Sequence, residues 1–235
     1  MNGLVVATIV LGLAVDRHGG AHGQLAVSVG AWALLARLWL VSLPAQRPAL
    51  LACLVYATAG EVFLSLVWGL YDYRLGNLPL FVPPGHVLLF YLGTQLAARL
   101  DDGAPWWIAA AALPVVAAFA WTGRDTLGPF LYALFLACMV LSPSRKLYAT
   151  MLALSLAMEL WGTWLGNWTW RREVPWLGLV TDNPPLAAGA FYAALDMLVV
   201  STVGARRRQS PARPILTPST ASHQAATCSA RSSSR

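Results

Sequence analysis

The stretch Glu61-Val62-Phe63-Leu64-Ser65-Leu66-Val67-Trp68-Gly69-Leu70-Tyr71-Asp72-Tyr73-Arg74 places one carboxylate inside an apolar run and closes that run with a glycine and a cluster of aromatic residues. A run this apolar suits a helix in lipid, where the backbone must satisfy its own amides. The stretch belongs to a longer run, residues 49 to 70. Seven similar runs occur at residues 2 to 15, 24 to 43, 85 to 100, 106 to 121, 127 to 142, 147 to 166 and 187 to 205. Breakers or charges separate them, among them Asp16-Arg17-His18-Gly19-Gly20, Asp101-Asp102-Gly103 and Ser142-Pro143-Ser144-Arg145-Lys146. The expected fold is all-α, a polytopic integral membrane helical bundle of about 8 TM helices.

Composition agrees. Of 235 residues, 57% are hydrophobic and 11% charged, and the mean hydropathy is +0.58. Soluble domains carry roughly a quarter charged residues. The balance excludes a soluble enzyme, a nucleic-acid reader and a secreted disulfide scaffold, so no nucleic acid is expected as a partner. Cys53, Cys138 and Cys228 have neither C-x-x-C nor metal spacing. The net charge of +6 reads as topology. With the N-terminus inside, Arg37, Arg47, Arg99, Arg145, Lys146 and Arg206 to Arg208 lie on the cytoplasmic side, with the tail arginines 213, 231 and 235. Only Arg17, Arg74, Arg124, Arg171 and Arg172 lie outside. A multi-pass protein of the cell membrane with both termini cytoplasmic is expected. The first run lacks a basic n-region and an A-x-A site, so it is read as a retained helix and not a secretory signal. Residues 209–235, rich in Ser, Ala, Pro, Thr and Arg, are expected to form a disordered cytoplasmic tail.

The opening stretch recurs. Glu159-Leu160-Trp161-Gly162-Thr163, then Leu165-Gly166-Asn167-Trp168-Thr169-Trp170-Arg171, Pro184-Pro185 and Phe191-Tyr192 to Asp196 follow the order of Glu61 to Ser65, Trp68 to Arg74, Pro83-Pro84 and Phe90-Tyr91 to Gln95. The offset is 97 or 98 before the loop and 101 after it, so the second loop is longer. This order predicts two parallel four-helix repeats, residues 1–104 and 105–208, related by an axis near the membrane normal.

Ionisable groups inside a membrane face an interior or a water-filled cavity, and are functional candidates by default. Glu61, Glu159 and Asp196 are the three, expected in one layer. Thr58, Glu61, Ser65 and Trp68 share a helix face, as do Ser155, Glu159, Thr163 and Gly166. Glu159 and Asp196 are expected to form a coupled pair, with Gln95 as the neutral first-half counterpart of Asp196. Tyr91 and Tyr192 stand four residues before Gln95 and Asp196 and are placed to orient carboxyls. Around the acids, Tyr71, Tyr73, Arg74, Trp168, Trp170 and Arg171 suit a flat apolar substrate held by stacking and cation–π contact. An aromatic belt at the headgroups explains part of the tryptophan surplus, and helix-to-helix hydrogen bonding is the bland reading of the buried acids. His86 reads as a capping or interfacial residue. Asn167-Trp168-Thr169 fits a weak glycosylation sequon. No phosphate-binding loop, metal-spaced His pair or Ser-His-Asp set occurs, so neither metal nor redox cofactor is indicated.

An acidic residue, then Trp-Gly-x-Tyr-x-Tyr-Arg, a proline loop and an aromatic helix resemble the repeated unit of membrane-embedded carotenoid-modifying proteins, the heterodimeric-type lycopene cyclases and the carotenoid hydratase group. Residues 61–95 and 159–196 carry the resemblance. Those cyclases open the next helix with Pro-x-Glu-Glu, where this chain has Pro83-Pro84-Gly85-His86 and Asp182-Asn183-Pro184-Pro185. The resemblance implies acid/base chemistry on an isoprenoid-like lipophilic substrate: cyclisation, isomerisation or hydration, each needing only a placed acid and base. A proton-coupled small-molecule transporter and a non-catalytic membrane subunit stand as alternatives, and the oligomeric state is open.

Overall fold

Helix α1 (Asn2–Val41) is interrupted at Gly20 in the computed structural model, which describes residues 1–209. Its φ of 57° and ψ of −145° belong to a region that only glycine enters without strain. The two legs fold back on each other: Gly12 lies against Val27, and a Cβ on Gly23 would sit 2.5 Å from the Val15 carbonyl oxygen. The remaining helices are α2 (Arg47–Glu61), α3 (Val82–Ala97), α4 (Ala104–Trp121), α5 (Gly128–Leu141), α6 (Arg145–Leu165) and α7 (Gly189–Gln209). Asn2–Val41, Arg47–Val67 and Ala104–Trp121 are long and apolar enough to cross a membrane. The fold is thus mostly helical, with several helices fit for lipid. Met1–Gly204 forms one compact unit. The expected tail, from residue 210 on, lies outside the described residues.

Large apolar side chains point outward, including Leu40, Leu66, Trp107, Trp121 and Leu141, while Glu61, Ser155, Glu159 and Asp196 are buried. Within the bundle, α3 packs against α1, α2 and α6, and α6 against α1, α4 and α5. Gly189 brings the start of α7 against the Leu152 backbone of α6, and Tyr56 of α2 shares a hydrogen bond of 2.8 Å with Thr202 of α7.

Two short strands join the halves. Strand β1 (Tyr71–Tyr73) pairs antiparallel with β2 (Trp168–Trp170) in the register Tyr71 to Trp170, Asp72 to Thr169 and Tyr73 to Trp168. Arg74 N–H donates to the Asn167 carbonyl, and Arg171 N–H to that of Leu70, both at 2.9 Å. Each contact between corresponding residues is repeated with the halves exchanged, as a local two-fold through Asp72 and Thr169 requires.

The helix ends preceding these strands differ by one residue. α6 closes on Gly166 (φ 75°), with Asn167 N–H on the Gly162 carbonyl and Gly166 N–H on that of Thr163, a Schellman cap. α2 runs on through a π-helical turn, Val62–Val67, to Gly69 (φ 73°), and Leu70 N–H reaches back to Leu64. The wider turn absorbs one extra residue. That is why the offset is 98 at the glutamates and 97 at the glycines. A hairpin of β3 (Glu173–Val174) and β4 (Leu179–Val180) then lengthens the second loop, accounting for the later offset of 101.

Candidate functional site

Glu61 ends α2, and β1 folds back over it. Its Oε2 accepts hydrogen bonds from the hydroxyls of Tyr71 (2.8 Å) and Tyr73 (2.7 Å), the two inward residues of β1. Its Oε1 lies 2.8 Å from His86 Nε2, on the first turn of α3. Glu159 on α6 is bound in the corresponding way by β2. Its Oε2 accepts the indole N–H groups of Trp168 (2.7 Å) and Trp170 (3.0 Å), and Oε1 accepts the Tyr192 hydroxyl at 3.2 Å. Alternation along each strand sends residues i and i+2 to one face, so a Y-x-Y and a W-x-W each deliver two donors to one carboxylate. Hydrogen bonds to an ionised group each contribute roughly 1.5–3 kcal/mol, which offsets much of the cost of burying the carboxyls.

The donors fix where protons sit. An indole N–H only donates, so Glu159 Oε2 stays an acceptor and a proton on this carboxyl occupies Oε1. Burial, and next the Glu61 charge, push the Tyr71 and Tyr73 hydroxyls well above the usual phenol range, so they too remain donors to Oε2 of Glu61. In both carboxyls Oε1 is the oxygen left for proton exchange.

Glu61, Tyr71, His86, Glu159 and Tyr192 line two cavities at once. One, of about 80 Å³, reaches between α1, α3 and α6, with Leu13, Val27, Leu88 and Met158 on its walls. The other, of about 380 Å³, lies between α2 and α7, walled by Phe63, Leu64, Phe191, Leu195 and Leu198. Neither lining contains Lys or Arg. His86 stacks on Tyr192 with ring centroids 4.9 Å apart and planes 11° from parallel, which links the first-half cluster to the second.

Of the residues expected at the site, Glu61, Glu159, Tyr71, Tyr73, Trp168, Trp170 and Tyr192 come together here. Five do not. Asp196 is buried but lines neither cavity, and its Oδ2 has no partner, so Glu159 meets Glu61 and not Asp196. Tyr91 and Gln95 also line neither cavity, because His86 fills the place at Glu61 that Tyr192 fills at Glu159. Arg74 is held by the backbone carbonyl and carboxylate of Asp16, and Arg171 makes a two-pronged pair with Asp72 at 2.8 Å per bond. Both arginines tie loops together. The Arg171 hydrogen bonds keep the Asp72 carboxyl below its usual range.

Two participants were not legible. His86 has apolar Ala187 as its second-half counterpart, so the repeat gave it no signal. Asp16 reads as a loop charge, yet it is buried and bonded to Asn167 and Arg74. Asn167 is 2% exposed and donates to Asp16 and the Leu13 carbonyl, so the folded chain offers it no room for a glycan. Among the described residues, no three His, Cys, Asp or Glu side chains converge as metal ligands. Comparison of the chain with protein-family models, curated proteins and solved structures yields no match.

Proposed function

We propose that this chain is a membrane enzyme that moves protons onto and off a carbon–carbon double bond of an isoprenoid-like lipophile, using Glu61 with His86 on one side and Glu159 on the other. The observation that carries the reading is the meeting of two hydrogen-bonded carboxylates with two largely apolar cavities that have no Lys or Arg in their walls. A transported anion would find no Lys or Arg there. A hydrocarbon finds apolar walls, and a cation formed on it finds two carboxylates and the ring faces of Trp168, Trp170 and Tyr192.

In this reading the Glu61–His86 pair delivers a proton to one carbon of the double bond, leaving positive charge on its neighbour. Glu159 Oε1 then takes a proton from an adjacent carbon, giving an isomerised or, after ring closure, a cyclised product. Addition of water to the cation, with the water's extra proton passing to Glu159 Oε1, gives a hydrated one. No electrons are exchanged. The resemblance to carotenoid-modifying proteins points the same way, with His86 standing where their Pro-x-Glu-Glu motif ends.

The same proposal takes the helices as eight spans in two parallel repeats, with both termini cytoplasmic. Arg74, Arg124 and Arg171 at the strand end are each paired with an acid, Asp16, Asp182 and Asp72. The opposite end, with Arg47, Arg99, Arg145 and Lys146 against Asp101 and Asp102, keeps the excess of positive charge that marks a cytoplasmic face.

The test is the lipid extract of cells that make linear isoprenoids, with and without the chain. A new isoprenoid product is expected, falling by about 10²-fold or more in Glu61→Gln and in Glu159→Gln at matched membrane abundance. Unchanged lipids, together with solute uptake driven by a pH gradient in proteoliposomes, would instead establish the transporter.

A further inference from the structure

Gly60 and Gly85 stand on opposite sides of the carboxylates, Gly60 in the wall of the larger cavity and Gly85 in that of the smaller. Most helical glycines near the site have a packing reason. A Cβ on Gly93 would strike Met151, one on Gly162 the Trp168 ring, and one on Gly189 the Leu152 backbone. At Gly60 and Gly85 an added Cβ meets nothing within 4 Å, and neither residue has a positive φ. Glycine weakens a helix interior, so at these two places neither neighbours nor backbone conformation call for it. What each leaves open is cavity.

The volumes are unequal, about 80 Å³ beside Gly85 and about 380 Å³ beside Gly60. Even the smaller exceeds the roughly 10–15 Å³ that one water needs, and away from the carboxylate cluster its walls are apolar, with Ile9, Leu13, Val27, Leu88 and Met158 among them. The same five side chains line both cavities, so Glu61 and Glu159 are faced from each.

Resting on the reading above, we propose that Gly60 and Gly85 are the specificity-determining residues for one neutral, linear hydrocarbon chain that lies across both cavities with unequal arms. The short arm passes Gly85, the long arm passes Gly60, and the reacting bond sits between the carboxylates. The substrate therefore reacts inside its chain and off centre.

Binding is measured with purified protein in nanodiscs, using methyl parinarate as the probe and tryptophan-sensitised emission of its tetraene as the signal. Methyl laurate and methyl stearate serve as short and long competitors. The wild type binds the probe and favours methyl stearate. Gly85→Leu, which fills the short side, weakens the probe and both competitors by about tenfold or more. Gly60→Phe shortens the long side and reverses the preference, so that methyl laurate competes better than methyl stearate. Gly30→Leu, where an added side chain also meets open space but lines neither cavity, binds as wild type. Failure of the wild type to bind, wild-type behaviour of both cavity variants, or equal weakening by Gly30→Leu overturns the proposal. The two claims separate cleanly. The predicted binding pattern without any lipid product leaves this inference standing and removes the enzymatic reading, whereas product formation with unaltered binding in the variants does the reverse.

Discussion

Oε1 of Glu61 and Oε1 of Glu159 differ in what they face, a ring nitrogen in one case and a phenol in the other. That difference assigns their roles. An imidazole has two ring nitrogens that can relay a proton, one donating while the other accepts, whereas the Tyr192 phenol donates its hydroxyl to the carboxylate. The proposed reaction accordingly takes Glu61 with His86 as the proton donor and Glu159 as the acceptor. His86→Ala is expected to lower product formation by about 10²-fold or more, since a placed acid or base supplies 10²–10⁴. Asp196→Asn is expected to leave the rate near wild type, because that carboxyl lies outside both cavities. Product formed per unit of membrane protein measures both. A severe Asp196→Asn defect beside an active His86→Ala would move the chemistry to the second half alone. At this scale the sequence identified both glutamates, since each interrupts an apolar run. It could not rank Asp196 below them, because burial without partners looks the same in a sequence as burial within a site.

Strands β1 and β2 do the positioning. Each supplies two donors to a carboxylate two to three helical turns behind it, and their mutual pairing fixes the distance between the two sites. Gly162 lets Trp168 lie flat on α6, and a side chain there would occupy the ring's place. Gly162→Val is thus expected to destabilise the fold by about 1–3 kcal/mol, as overpacking does, and to weaken activity by displacing the indole from Glu159. Thermal unfolding followed by tryptophan emission checks the first effect, and an unchanged midpoint would contradict it. The apolar runs, their breakers and the proline loops were readable because lipid allows little else at that density. The strands were not. Three residues ending a helix carry no period, and Tyr71-Asp72-Tyr73 reads equally as an interfacial belt. The π turn left only a trace, the one-residue change of offset between glutamates and glycines.

Within the unit Met1–Gly204, helices with apolar exteriors surround a polar centre closed at one end by paired loop charges. Asp16 with Arg74, Asp72 with Arg171 and Asp182 with Arg124 gather the connections of four segments at the strand end. The larger cavity lies between α2 and α7, where Phe63 and Leu198 are both exposed at its rim. In the proposed function this rim is the route by which a lipophile reaches the carboxylates from the bilayer. The repeated order in the sequence sets α2 beside α6 for comparison, and each carries a carboxylate bound by the short strand that follows it. It did not anticipate that the two clusters would share one wall, because that depends on the His86–Tyr192 stack between residues with no common motif. The central claim is that a proton from Glu61 and His86 is placed on a carbon of the substrate. The direct measurement is the mass spectrum of the isoprenoid product formed by membranes in deuterium oxide. The account predicts one solvent deuterium bound to carbon in each product molecule, with labelled product lower by about 10²-fold or more in Glu61→Gln and Glu159→Gln. Product formed at the normal rate with no deuterium on carbon would contradict it.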